Sequence, residues 1–327
     1  VSASAPRILR TVFGRTVQLV IVLLAISIVT FLLLNLLPGN AAANRIGPLP
    51  NFTPSQRAAE VKSLEQQLGL NKPLVVQYFI WLKNAVQGNL GLNVQGEPVS
   101  QLISGRIFPT VELAIAALLV SISVSVLLSV WALRSRFRAV KFTIQGGMAT
   151  LLVAPAFWIG LVLIVVFAAK ANWLPASGYV SLQTSVSQNL EHLILPAITL
   201  ALPLTALFFR YLSAGLEDAS TQPFTVAARA RGLTERTIVY RHILPNGALP
   251  TITVVGLAIG SLMSSLVIVE SVFSWPGLGS LLIQSVVTTS DYNTVVGIVL
   301  LTAATFVIVA AIVDVIYVIV DPRLRRA

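Results

Sequence analysis

Six long apolar windows decide what this chain can fold into. They run over about Val17–Leu37, Phe108–Leu133, Thr143–Ala169, Ile194–Phe209, Ala248–Phe273 and Thr294–Val320. A helix crossing the hydrocarbon core of a bilayer needs about 20 mainly apolar residues. The fourth window is short unless it runs past Arg210. Uninterrupted runs of this kind do not suit barrel strands, which alternate with period two. A mean hydropathy of +0.86 and only 10% charged residues leave little chain to face water. The expectation is an all-α integral membrane protein with six transmembrane helices.

Arg7, Arg10 and Arg15 precede the first window, and Ala41-Ala42-Ala43 follows it, as in a secretory signal. Its apolar run exceeds the ~7–15 residues of a signal core, so an uncleaved anchor is expected. Lys and Arg then orient the spans. With the N-terminus inside, the inner face receives Arg7, Arg10, Arg15, Arg134, Arg136, Arg138, Lys141, Arg210, Arg229, Arg231, Arg236, Arg241, Arg323, Arg325 and Arg326, which are 15 of 22 basic residues. Most of the others fall in one long segment, which weighs little in this rule. Both termini are predicted to be cytoplasmic.

The net charge of +10 does not imply a nucleic-acid partner, because the basic residues punctuate span ends and form no separate domain. With no cysteine, disulfides and thiolate metal sites are excluded. His192 and His242 stand alone, without partners at metal-ligand spacing, so no metal is expected.

The expected organisation is a cytoplasmic N-terminus at 1–16, a first span at 17–37, an extracytoplasmic insertion at 38–107, a five-helix core at 108–320 with a loop at 211–247, and a tail at 321–327. Thr53-Pro54-Ser55-Gln56 reads as a capped helix start, running to Leu68 with Gly69 beyond it. A second short helix is expected from Pro73 to Gln87, ending at Gly88, with Leu74, Val75, Tyr78, Phe79, Leu82 and Val86 on roughly one face. Tyr78 and Trp81 suit the level of lipid headgroups, and the insertion is expected to act as a lid. Trp275-Pro276-Gly277-Leu278-Gly279 forms a tight turn before Leu281–Val287, a run too short to span.

The basic loop before the fifth window carries the densest pattern. Val226–Arg231 can form a turn or two of helix, and its small Ala227, Ala228 and Ala230 permit close approach to a partner groove. Gly232 allows reversal at positive φ. Pro245 after Leu244 marks an element boundary. Arg229 and Arg231 either pair with acidic residues of a partner or simply follow the inside bias of basic residues.

These residues carry a resemblance. Ala227-Ala228 with Gly232, followed by His242-Ile243-Leu244-Pro245, has the spacing of the EAA loop of ABC importer permeases. Leu37-Pro38-Gly39, Leu68-Gly69-Leu70-Asn71-Lys72-Pro73, Ile194-Leu195-Pro196-Ala197, Ala228-Arg229-Ala230-Arg231-Gly232-Leu233 and Glu270-Ser271-Val272-Phe273-Ser274-Trp275-Pro276-Gly277-Leu278-Gly279 extend it from Arg7 onward. The whole resembles the B-type permease subunit of oligopeptide/dipeptide ABC importers. Val226 stands where the general motif has Glu, and His242 where it has Ile. The resemblance implies a type I importer permease fold with an extracytoplasmic insertion and a loop that docks on a separate ATPase. It also implies a second, C-type permease, two ATP-binding subunits, an extracytoplasmic solute-binding protein and a peptide substrate. ATP and Mg would then be bound by the partners, with no cofactor in this chain.

No Gly-x-x-x-x-Gly-Lys-Ser/Thr phosphate loop occurs in the sequence, so any ATP-derived energy must come from another polypeptide. No nucleophile–base–orienter set is apparent, and the chain is read as a non-enzymatic transport subunit. Acids in spans are costly and are functional candidates. Glu112, Glu270 and Asp314 are such residues. Glu270, beside Trp275, Pro276 and Gly277, is expected to brace an outer gate; Asp314 either pairs with an inner arginine or touches substrate. Ser121, Ser125 and Ser129 share a helical face, as do Gly256, Gly260 and Ser264; close packing and pathway lining both suit them. Importers of nickel, glutathione or another solute share the architecture. An ion-coupled secondary transporter or channel would need paired mid-membrane acids instead, and an intramembrane hydrolase a convergent catalytic set.

Overall fold

A computed structural model describes residues 17, 20–32 and 72–320, the segment 312–320 as backbone only. The expected helix over 53–68, the termini 1–16 and 321–327, and the side chain of Asp314 lie outside the described residues. The described chain is helical: α1 (Val20–Leu32), α2 (Leu74–Val86), α3 (Val99–Arg134), α4 (Arg138–Val153), α5 (Ala156–Leu163), α6 (Val186–Thr221), α7 (Pro223–Ala230), α8 (Glu235–Ile238), α9 (Leu244–Gly247), α10 (Leu249–Val272), α11 (Leu278–Ile283) and α12 (Tyr292–Val320). Wider π turns extend α5 over Ile164–Lys170, join α8 to α9 over Val239–Ile243, and extend α11 over Gln284–Thr288.

Among the described residues, four helices, α3, α6, α10 and α12, are each long and apolar enough to cross a membrane. The third sequence window departs from the single span expected over Thr143–Ala169. It breaks into α4 and α5, with a 109° bend between them. Pro155 is the cause: its ring disfavours helical geometry in the preceding residue, and Ala154 is extended at φ −67°, ψ 127°. The helix of the fourth window does run past Arg210, reaching Thr221, so the first part of the expected loop at 211–247 is helix. Similarly, α3 begins at Val99, ahead of Phe108, and keeps Pro109 within it.

Packing divides the chain into two compact units, one of residues 1–108 and 277–311, the other of 109–276 and 312–327. In the second unit α6 is central, with α4, α5, α9 and α10 packed on it. Leu113 and Ala117 of α3, Leu195, Leu200 and Phe208 of α6, and Leu262, Leu266, Val269 and Phe273 at and beside α10 form its main buried cluster. Ser121, Ser125 and Ser129 are buried along α3, at most 1% exposed. Ser121 and Ser125 donate to carbonyls three residues back, and Ser129 meets Ser213 at 3.3 Å. Their hydroxyls are thus satisfied within the packed helices. By contrast, Ser264 is exposed and Gly256 and Gly260 are half-buried.

In the first unit Val99, Ile103, Leu281 and Ile298 form a small core. A Cβ on Gly297 would stand 2.8 Å from Ile103 Cδ1, so a larger residue at this close approach would make side-chain ends of the small core turn aside. Asn293 donates to the Leu92 carbonyl at 2.8 Å, tying α12 to the turn before α3. The short helix expected from Pro73 to Gln87 is α2, and Gly88 closes it at φ 81°. Its partner is α1. Tyr78 and Ser27 hydroxyls meet at 2.7 Å, and Phe31 packs its ring on Tyr78 and Trp81.

Candidate functional site

Two groups of sequence-selected residues are organised by the second unit. The first is the loop after α6. Pro223 opens α7, where a missing amide hydrogen costs nothing. Thr225 and Ala228, three residues apart, are the two buried residues of this helix. Thr225 Oγ1 donates to the Ala219 carbonyl at 2.8 Å, a buried bond that pins α7 to the end of α6. Ala228 packs with Val130, Leu212, Leu216, Ile238, Val239 and Ile243.

The opposite face of α7 is open. Phe224, Val226, Ala227, Arg229 and Ala230 are exposed, as are Arg231, Gly232 and Leu233 beyond it. Gly232 ends the turn at φ 76°, and the Leu233 amide reaches back to the Ala228 carbonyl. Any other side chain at 232 would meet no neighbour, yet the left-handed backbone itself selects glycine. Arg229 is engaged inside the loop, its Nε 2.9 Å from Glu235 Oε1. Arg231, Arg236 and Arg241 are exposed. The surface is therefore small, apolar and basic, held on a buried threonine and alanine.

Downstream, His242 is half-buried and its carbonyl accepts from Asn246 Nδ2. Leu244 packs against the same cluster as Ala228, and Pro245 is exposed in the first turn of α9. Sequence reading missed what seats this turn. Gly247 lies so close to Gly215 of α6 that a Cβ on Gly215 would stand 2.1 Å from the Gly247 carbonyl oxygen. Nothing local marks two glycines this far apart as partners; Thr225, whose partner Ala219 is only six residues back, was missed as well.

The second group surrounds the end of α10. Glu270 is fully buried and accepts from Thr110 Oγ1 at 2.7 Å. Trp275, also fully buried, donates its indole Nε1–H to the Pro109 carbonyl at 2.9 Å. Its backbone amide returns to the Glu270 carbonyl through Ser274, which stands at φ 51°. Tyr179 stacks edge-on against Trp275 and donates to Glu112 Oε2 at 3.2 Å. Burial, then the adjacent Glu112 carboxylate, raise the Tyr179 phenol above its usual pKa. Glu270, Trp275 and Tyr179 thus converge on the turns of α3 at Pro109, Thr110 and Glu112. Pro276 follows Trp275, and Gly277 caps α11. Among the described residues no cluster of His, Asp and Glu could hold a metal ion.

Against this geometry, the family comparison is decisive. Residues 125–326 match the model of the binding-protein-dependent transport system inner membrane component, and residues 8–124 match that of its N-terminal region. The chain belongs to that family. It is similar to a Brucella ovis protein named as a peptide permease, 38% identical over 93% of this chain and 95% of that one. The oligopeptide transport system permease protein AppB of Bacillus subtilis is 32% identical over 96% and 98% of the two chains. The glutathione transport system permease protein GsiC of Escherichia coli O6:H1 is 34% identical over 97% and 99%. The chain is accordingly a multi-pass membrane permease subunit of an ABC importer, a class that works with an ATPase and a substrate-binding protein.

Proposed function

We propose that this permease imports peptides, oligopeptides or small peptides such as glutathione, by alternating access. The cargo follows from what its relatives are named for. In this reading the chain pairs with a second, similar permease and with two ATP-binding subunits, which bind ATP and Mg; it has no ATPase site of its own. An extracytoplasmic binding protein delivers substrate, and both termini lie in the cytoplasm.

The observation that carries the coupling role is α7. Its inner face is fixed by Thr225 and Ala228 while Ala227, Arg229, Arg231 and Gly232 are presented outward. Small side chains allow an ATPase groove to approach the backbone, and the exposed Arg231 supplies charge complementarity to an acidic rim. Closure of the ATPases pushes on α7. Thr225, Leu244, Pro245, His242 and Gly247 pass that displacement to α6 and α10 as one packed body. At the far end of α10, Glu270 and Trp275 hold α3 and act as a brace for the outer gate. In this scheme Ser121 and Ser125 pack the helices that flank the path between, and Asp314 lines it.

The test is purification of the complex from its native membrane and reconstitution in liposomes. Two ATPases, a second permease and hydrolysis stimulated by peptide-loaded binding protein are expected. Isolation of the chain alone, with solute flux in the absence of ATP, would overturn the proposal.

A further inference from the structure

Helix α2 is turned inside out for a segment in water. Its apolar stripe, Val75, Phe79, Leu82 and Val86, repeats at helical spacing, and three of these residues are 66%, 62% and 81% exposed. The face laid against the protein instead carries Gln77, only 8% exposed, together with Tyr78 and Trp81. A lid standing in water would bury the stripe and expose the glutamine.

The place of contact adds a depth. Tyr78 reaches Ser27, and Phe31 packs on Tyr78 and Trp81. Ser27 is the midpoint of the first apolar window, Val17–Leu37, and Phe31 is one turn further along. If that window spans a hydrocarbon core of roughly 30 Å, Ser27 lies about 15 Å below its end. A tyrosine side chain cannot cover that distance from above the headgroups. The 13 residues of α2 extend only about 20 Å, too little to cross. Charge agrees: Lys72, two residues before the helix, and Lys83 in its last turn are exposed, and no acid occurs from Lys72 to Gly96. Lysines with long apolar stems lie in the acyl region and place their ammonium at lipid phosphates.

We infer that α2 is a membrane-seated helix, embedded in the leaflet that α1 enters at its C-terminal end, with the Val75–Phe79–Val86 stripe covered by lipid acyl chains. The insertion is thus partly a wedge in the bilayer beside the first span. This rests on α1 crossing the membrane, as the permease reading requires.

The chain has no cysteine, so a single introduced cysteine gives one nitroxide site in it, and the complex without that cysteine gives the labelling background of its partners. Val75→Cys, Phe79→Cys and Val86→Cys are labelled in the assembled complex in liposomes containing anionic lipid. Collision with oxygen reports acyl chains, and collision with a water-soluble nickel chelate reports water. Leu127→Cys and Leu257→Cys, on exposed span positions, provide lipid references. Gln183→Cys, in the exposed turn before α6, provides an aqueous one. The expected result is an oxygen-to-nickel ratio at all three stripe positions matching Leu127 and several-fold above Gln183. Nickel access as high as at Gln183 would place the stripe in water and overturn the inference. Protection from both reagents would mean protein covers it, a second permease or residues 38–71, and would overturn it equally. Water-like readings at Leu127 and Leu257 would instead remove the membrane premise itself.

Discussion

Replacing Gly215 by alanine tests whether the segment after α7 and helix α6 move as one body. An ideal Cβ on Gly215 stands 2.1 Å from the Gly247 carbonyl oxygen, and one on Gly247 stands 2.7 Å from the Gly215 oxygen and 2.9 Å from the Leu216 amide. Ordinary contact begins near 3.4 Å, so the first methyl is about 1.3 Å too close. The obstructing atoms are backbone and have no rotamer to change. Either α9 moves off α6 by that amount or both helices distort; overpacking of this kind costs about 1–3 kcal/mol. Because α9 follows the coupling segment directly, the displacement separates it from the helix it drives. In proteoliposomes holding the whole complex, Gly215→Ala is expected to lower thermal stability and to reduce peptide taken up per ATP hydrolysed. Gly105→Ala and Gly146→Ala, whose added methyls meet no atom within 4 Å, should match the native protein to within about 0.5 kcal/mol. Native melting and native coupling in Gly215→Ala would refute the close-packed junction and the transmission argued from it.

Three further outcomes are expected. Thr225→Val removes the buried bond to the Ala219 carbonyl and should cost about 1–2 kcal/mol, while loosening ATPase association measured by co-purification; unchanged co-purification would separate α7 anchoring from docking. Glu270→Gln should reduce uptake and substrate-stimulated hydrolysis without loss of assembly, and native values for both would eliminate the brace. Arg229→Ala should change stability by less than about 1 kcal/mol, since its pair with Glu235 is exposed; a large loss of melting temperature would show that the loop depends on that pair.

The long spans were legible because apolar length is a local property of sequence, and α7 was legible because Ala227, Ala228 and Gly232 announce a short helix and its reversal. Pro155 was a readable signal overshadowed by the apolar run around it. Proline alone does not decide, since Pro109, Pro196 and Pro203 all lie inside helices. The face α2 turns to α1 was not legible, because periodicity identifies an apolar stripe without saying what covers it. Nor were the pairs that build the candidate site: Thr110 with Glu270, Trp275 with Pro109 and Gly215 with Gly247 join residues remote in sequence, through geometry that only folding brings together.

The bend at Pro155 has a consequence for parity. Arg134, Arg136, Arg138 and Lys141 lie before it, and Arg229, Arg231, Arg236 and Arg241 lie beyond it, with α6 between. Since α6 crosses once, the two basic clusters share a side only when α4 and α5 together also make one net crossing. A hairpin returning to its own side would put them on opposite faces, against the tendency of short basic loops to stay on one side. Charge therefore favours an odd crossing made by two oblique limbs. An element that contributes one crossing without being one rod can change its internal angle while the sidedness of everything after it is preserved.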